Sequence, residues 1–258
     1  GMNMLPLLSR QLTEAKISRM TGLSKHEKKR YQRQLIIPAI GEAGQEKLQK
    51  ASVLVVGAGG LGSPVLLYLA AAGVGTIGIV DSDIVDLSNL QRQILYNTKD
   101  IGHPKAARAA EKLTGLNPGV KLNTYHVRLT EDNADEILSG YDLAVDCCDN
   151  YPTRYLLSDA TLRAGKPMVY GAVYQFFGQA SVFNHMNGPS YRTLFPEELK
   201  SAETDSGSPP GVIGVLPGII GSVQASETIK IILGLGEVLS GRLLQIDALN
   251  FRVEIISF

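Results

Sequence analysis

Gly57-Ala58-Gly59-Gly60-Leu61-Gly62 has the G-x-G-x-x-G spacing, directly after one short apolar run and before a small-residue stretch of helical character. Glycines there permit a tight turn and let backbone N–H groups approach a phosphate, and a helix N-terminus adds a favourable dipole. Asp81 closes the next apolar run, where an acid that binds ribose hydroxyls is expected. On these two features alone, a nicotinamide dinucleotide is the default ligand. The following segment, Asp81 to Gln93, shifts the balance, because it is dense in polar groups where a dehydrogenase usually begins an ordinary helix. Within it, Asn89 and Arg92 are three apart and would share a face of a helical turn. Lys105 follows Gly102-His103-Pro104 at a helix start, where the dipole disfavours a cation unless an anion is bound nearby. Asp146-Cys147-Cys148-Asp149-Asn150 closes another apolar run. Asp149 has two readings there, a metal ligand or the cap of a helix starting near Pro152.

Elements must position these groups, and the sequence alternates strands with helices. Ser52–Val56, Thr76–Asp81, Lys121–Val127, Leu143–Cys147 and Pro167–Ala172 read as strands. Helical stretches run from the glycine loop to about Ala72, then over His103–Leu116, Asp132–Leu138 and Thr153–Ala164. This β–α repetition predicts an α/β fold with a mostly parallel sheet and helices on both faces. After Gly178 the pattern changes. Gln179–Phe183 reads as a strand, 196–211 as a long loop, and Pro217 as the first turn of a helix to about Leu233. Arg242–Ala248 and Phe251–Ile256 alternate as a closing pair, a β-containing C-terminal extension. Residues 1–23 read as an N-terminal arm, and 24–258 as one domain that opens on a polar, basic, helical segment.

Composition narrows the function classes. The 258 residues are 44% hydrophobic and 19% charged, which fits a globular protein with a sizeable core. Lysine plus arginine and aspartate plus glutamate are balanced at 25 each, so no general basic field for nucleic acid or membrane exists. Cys147 and Cys148 are the only cysteines, which excludes a disulfide framework and a four-cysteine zinc site. Their expected place is the core, in a reducing, cytoplasmic setting. No secretory leader is read near residue 1, and Pro217, Gln224, Glu227 and Lys230 interrupt the most apolar later segment, 211–235.

Six short motifs stand in register: Arg30-Tyr31-Gln32-Arg33-Gln34, the glycine loop, Asp81, Ser88-Asn89-Leu90-Gln91-Arg92-Gln93, Gly102-His103-Pro104-Lys105, and Asp146 to Asn150. Together they resemble the MoeB/ThiF/HesA family, bacterial relatives of ubiquitin-activating enzymes, from about Ser24 to the C-terminus. The resemblance implies a Rossmann-like ATP-binding domain in a two-fold homodimer. It implies an adenylyltransferase that activates the C-terminal glycine of a small ubiquitin-like sulfur carrier ending in Gly-Gly, of the MoaD or ThiS kind, for molybdopterin, thiamin or related sulfur transfer. On that pattern the nucleotide is held by Gly57, Gly59, Gly60, Gly62, Asp81, the run Ser88, Asn89, Leu90, Gln91 and Arg92, then Lys105, Asp149 and Asn150. Gly60 borders the phosphates, Asp81 holds the ribose, and Asn89, Arg92 and Lys105 surround the triphosphate. Asp149 holds Mg²⁺, and Arg33 arrives from the partner subunit as an arginine finger. The catalytic set is thus Arg33, Arg92, Lys105 and Asp149. A carboxylate attacking an α-phosphate needs cations to offset repulsion, and needs no protein nucleophile.

Two departures limit the resemblance. Many members hold a structural zinc with two C-x-x-C pairs, but Ser190-Tyr191-Arg192-Thr193 stands at the first position. No zinc is expected, and packing is expected to stabilise that corner instead. The crossover loop, 201–211, has no cysteine, so a thioester or persulfide step has no obvious carrier. Other readings of the site are an adenylyltransferase for a peptide or modified-tRNA carboxylate, an NAD-dependent oxidoreductase, or a docking module that has lost catalysis. The aromatic run Tyr170–Phe177 and the 196–211 loop are candidate walls of a groove for a flexible C-terminal tail.

Overall fold

Ser52–Val56 (β1) is short, β-branched and almost wholly buried, as a strand covered on both faces requires. In the computed structural model, which describes residues 22–196 and 211–258, it lies near the middle of an eight-stranded sheet. The remaining strands are Thr76–Val80 (β2), Lys121–Tyr125 (β3), Leu143–Asp146 (β4), Met168–Tyr174 (β5), Phe177–Phe183 (β6), Arg242–Asp247 (β7) and Arg252–Ser257 (β8). Their order is β3-β2-β1-β4-β5-β6-β7-β8. β1 to β5 are parallel, and β6 to β8 continue the same sheet antiparallel. The expected C-terminal extension, β7 and β8, is therefore the last two strands of the same sheet, joined to it through β6.

The helices are Lys25–Arg30 (α1), Gln32–Leu35 (α2), Gly41–Lys50 (α3), Gly62–Ala72 (α4), Lys105–Leu116 (α5), Glu131–Ser139 (α6), Tyr151–Arg163 (α7), Tyr191–Leu194 (α8) and Val215–Leu233 (α9). Alternate residues of β1 serve two cores. Val53 and Val55 pack with Val65, Leu69, Leu113 and Ile220 from α4, α5 and α9. Leu54 and Val56 pack with Ala134, Leu138, Leu157 and Ala160 from α6 and α7. Helices on both faces follow from that alternation. α4 and α9 meet closely at Gly221, where a Cβ would stand 2.5 Å from Pro64 Cγ.

The basic opening segment is two short helices, interrupted at Tyr31. α3 is an element that sequence reasoning did not assign. The arm 1–23 and the loop 196–211 lie, apart from their inner ends, outside the described residues. Among the described residues no helix is long and apolar enough to cross a membrane. Where the pattern Ser190–Thr193 departs from zinc ligation, α8 buries Tyr191 against Tyr155 at 5.0 Å and Phe195 at 4.8 Å between ring centroids. Packing holds this corner, as expected.

Candidate functional site

Strand order reverses between β1 and β4, and an open α/β sheet binds ligands in the crevice beyond the carboxyl ends of such a pair. Gly57 follows β1, and Cys147 to Asn150 follow β4. They line one cleft of roughly 860 Å³ together with Gly59, Gly60, Asp81, Arg92 and Lys105.

The glycine loop is built for close approach. Gly57 has φ +98°, a left-handed conformation, and a Cβ there would sit 2.4 Å from the Cys147 carbonyl oxygen. A Cβ on Gly62 would stand 2.1 Å from the Gly57 carbonyl oxygen. Gly62 thus closes the turn from behind and does not face the cleft. The Gly57 N–H donates to the Val80 carbonyl and the Ser63 N–H to the Gly59 carbonyl, whereas the N–H groups of Gly59 and Gly60 meet no acceptor among the described residues. A loop with two unclaimed N–H groups before α4 fits an anionic oxygen.

Asp81 lies beside this loop at the end of β2. One carboxylate oxygen accepts the Ala58 N–H and the other the Asp83 N–H, both at 2.8 Å. Burial pushes its pKa above the usual carboxylate value, against the opposing pull of those two N–H groups and of Lys105. Lys105 is itself buried, at 5% exposure, and its Nζ reaches Asp83 at 3.0 Å. It is the first residue of α5, and its backbone N–H donates to the Asp83 carbonyl. Asp81, Asp83 and Lys105 are therefore fixed as one cluster.

The polar run after Asp81 forms a capped turn. Leu87–Asn89 is a 3₁₀ turn in which Asp86 caps the Ser88 N–H, and Asn89 Oδ1 accepts the Asp86 N–H at 3.1 Å. Ser88, Asn89, Leu90 and Gln91 support the turn and do not line the cleft; Arg92 does, with its guanidinium donating to the Ser88 carbonyl at 3.1 Å. Arg33 is exposed on α2, away from the cleft of its own chain.

At the β4 end, the helix cap is Asn150, whose Oδ1 accepts the Thr153 N–H at 3.0 Å. Asp149 is thereby relieved of capping and stands exposed at the cleft. Among the described residues no group of three carboxylate, thiol or imidazole side chains is assembled for a metal. The exposed Asp149 carboxylate accepts from the neighbouring Asn150 Nδ2 at 3.3 Å, and a single carboxylate of this kind is the sort of oxygen ligand that Mg²⁺ takes.

Asp146 belongs to the frame. It is fully buried, pairs with Arg154 Nε at 2.7 Å, and accepts the Cys148 N–H at 3.0 Å. Arg154 also donates to the carbonyls of Cys148 and Gly171, tying the Asp149 loop to β5. Sequence reasoning missed Arg154, although its place four residues after the cap Asn150 turns it back toward the strand end. Both cysteines are buried, and burial pushes their thiols well above the usual range. The expectation that they are core residues agrees with this environment. Of the proposed groove walls, Tyr170, Tyr174 and Phe177 line the cleft's far end.

The ThiF family profile matches residues 31–258. The sulfur carrier protein adenylyltransferase of Thermus thermophilus is 54% identical over 232 residues, 88% of this chain and 86% of that protein. The probable molybdopterin-synthase adenylyltransferase of Porphyra purpurea is 49% identical, and the probable adenylyltransferase/sulfurtransferase MoeZ of Mycobacterium tuberculosis 48%. Each match covers 92% of this chain but only 62% of the relative's length. Among solved structures, PaaA superposes with a TM-score of 0.78 at 20% identity, covering 92% of this chain and 75% of that one. Escherichia coli MccB with ATP gives 0.70 at 20% identity, covering 83% and 64%. At that identity the likeness is one of fold.

Proposed function

The chain belongs to the ThiF family, and from that premise we propose that it is an ATP-dependent adenylyltransferase acting on the C-terminal glycine carboxylate of a small ubiquitin-like sulfur carrier. The observation that carries this reading is the convergence of unclaimed N–H groups at Gly59 and Gly60, the cations Arg92 and Lys105, and the exposed carboxylate of Asp149 in one cleft. A dinucleotide needs the glycine loop and Asp81 only. A triphosphate and a metal give the remaining groups their work. The names of the Thermus and Porphyra relatives point to a sulfur carrier as the acceptor.

In this reading the Gly59 and Gly60 N–H groups cradle the phosphates and Asp81 receives the ribose hydroxyls. Arg92 and Lys105 offset negative charge as the carrier's carboxylate attacks the α-phosphorus and pyrophosphate leaves. Ser88, Asn89, Leu90 and Gln91 hold Arg92 in place through the capped turn, and Asn150 orients the segment bearing Asp149. Mg²⁺, when bound at Asp149, would neutralise phosphate charge and orient the leaving group. The residues present fit both groups. Zinc has no place in the scheme, since the corner of Ser190–Thr193 is filled by aromatic packing. The carrier's tail would enter past Tyr174 and Phe177, which are about half exposed.

A two-fold homodimer completes the site with the partner's Arg33. Ile36 and Ile37, exposed beside Arg33, and an apolar recess between Ile40, Tyr68, Ile229 and Leu233 support such a contact face. Two free thiols suit a reducing cytoplasm. Exchange of labelled pyrophosphate into ATP, with and without carriers ending in Gly-Gly, tests the activity. Exchange that rises with a carrier is expected; exchange that none of them stimulates would sink the reading.

A further inference from the structure

Gln93 has a side chain that the fold buries and does not use. The residue is 4% exposed. Its backbone is fully engaged, the N–H donating to the Asn89 carbonyl at 2.9 Å and the carbonyl accepting the Tyr96 N–H at 3.1 Å. The amide is different. Oε1 is buried without a hydrogen-bond partner, and no described residue bonds to Nε2. A primary amide offers two donors and an acceptor. Burying it unpaired forfeits its hydration for no return, which native proteins seldom tolerate outside working sites. An apolar side chain of the same length would fill this space at less cost.

The amide's surroundings say what it would meet. Gln93 lines the cleft beside Gly59, Gly60 and Arg92. Nε2 lies 3.4 Å from the point where a Cβ on Gly59 would stand, so the glycine leaves the space in front of the amide open. Lining the same cleft are Gly59 and Gly60, whose N–H groups have no acceptor among the described residues, and Arg92, next in sequence. The nearest carboxylate of the loop, Asp81, is already occupied by the Ala58 and Asp83 N–H groups. Gln93 Nε2 and the Gly59 and Gly60 N–H groups are unclaimed donors on this wall, and an anionic oxygen is a partner that satisfies these donors together, with Oε1, the amide's acceptor, outside that contact.

We propose that Gln93 is a further substrate-contacting residue, whose amide N–H donates to the phosphate seated on the Gly59 and Gly60 N–H groups. This rests on the nucleotide reading above and adds a neutral donor to it. Arg92 and Lys105 supply charge, whereas Gln93 supplies direction. Because the bond is made to ground-state and transition-state phosphate alike, its loss falls on nucleotide affinity more than on turnover.

The test is calorimetric titration of the full chain with Mg²⁺ and α,β-methylene ATP, for wild type, Gln93→Met and Gln93→Glu, with melting temperatures of the free proteins. For Gln93→Met, a Kd raised about 10- to 100-fold is expected, as loss of one hydrogen bond to a charged group implies. Its melting temperature should equal or exceed that of wild type. Gln93→Glu keeps the shape but sets an anion against phosphate, and should bind weaker still. A Gln93→Met protein with the wild-type Kd overturns the proposal, and so does one that melts well below wild type, since the amide would then serve the fold. A wild type that does not bind the analogue defeats the nucleotide reading itself, and the Gln93 assignment with it.

Discussion

At the scale of single residues, Lys105 separates function from folding most cleanly. Its one side-chain partner among the described residues is Asp83, whose carboxylate is 60% exposed, so removing the ammonium leaves behind a charge that water can solvate. Lys105→Met, which keeps the buried stem and removes only the charge, should therefore cost at most about 1 kcal/mol of stability by urea denaturation. In the proposed reaction the same change removes a cation from the departing pyrophosphate, and carrier-dependent exchange should fall about 100-fold or more. Normal exchange in this variant would contradict the site as drawn. That Asp81, Lys105 and Asp149 line one cleft was legible in the sequence, because each lies at or just beyond a strand end or at a helix start, and such ends gather at one edge of a parallel sheet. What Asn89 does locally was not legible: its Oδ1 accepts the Asp86 N–H, and that contact depends on the 3₁₀ turn that Asp86 caps. Arg154 was missed for a related reason. Its partners, Asp146 and the carbonyls of Cys148 and Gly171, come together only when β4, α7 and β5 are assembled.

Elements carry the next level of control, and α5 shows how. Lys105 is its first residue, so whatever anchors α5 aims the ammonium. That anchor is Asp100, fully buried in a capped 3₁₀ turn, which pairs with Arg108 and Lys112 one and two turns along the helix. Burial alone would raise the Asp100 pKa, but hydrogen bonds from Lys112, the Asn97 N–H and Arg108 outweigh it and hold the carboxyl at about 2. A depressed acid pKa stabilises the fold above the unfolded value, near 4, and that contribution is lost as pH falls through about 2. Asp100→Asn should thus lower stability by about 1–3 kcal/mol at pH 7. The gap from wild type should close as pH falls from about 4 to about 2. Urea midpoints of both proteins across that range check it; a constant gap would deny the carboxylate its role. The alternating β–α elements were readable from short apolar runs and breakers such as Asn117-Pro118-Gly119. α3 was not, because GEAGQEKLQK has two glycines and a single large apolar side chain, and it is held in place by burial of Leu48 and Gln45. Nor does local pattern tell that β7 and β8 extend the main sheet, since pairing to β6 is a long-range choice.

At the scale of the whole molecule, the cleft of one chain contains every proposed phosphate contact except Arg33, which is exposed on α2 outside that cleft. Two arrangements would account for an active-site arginine there. Either α2 moves within its own chain, or a second copy presents it. α2 is tied down: Gln34 donates to Gln45 and to the Ala72 carbonyl, and Tyr31 accepts from Asn117. A large excursion toward its own cleft would break those bonds, so supply in trans is the geometry that leaves the fold intact. A two-fold axis would then give each site one partner arginine. Subunit complementation decides between the two. Arg33→Ala and Asp149→Ala proteins, each inactive alone, are mixed in equal amounts under conditions that exchange subunits. In the trans arrangement a mixed dimer has one intact site of two, and random pairing restores about one quarter of wild-type exchange. In the cis arrangement neither site of a mixed dimer is whole, and activity stays at the level of the separate variants. Recovery near a quarter, appearing at the rate of subunit exchange, therefore assigns Arg33 to the partner's site; absence of recovery in a mixture shown by mass to contain mixed dimers removes it.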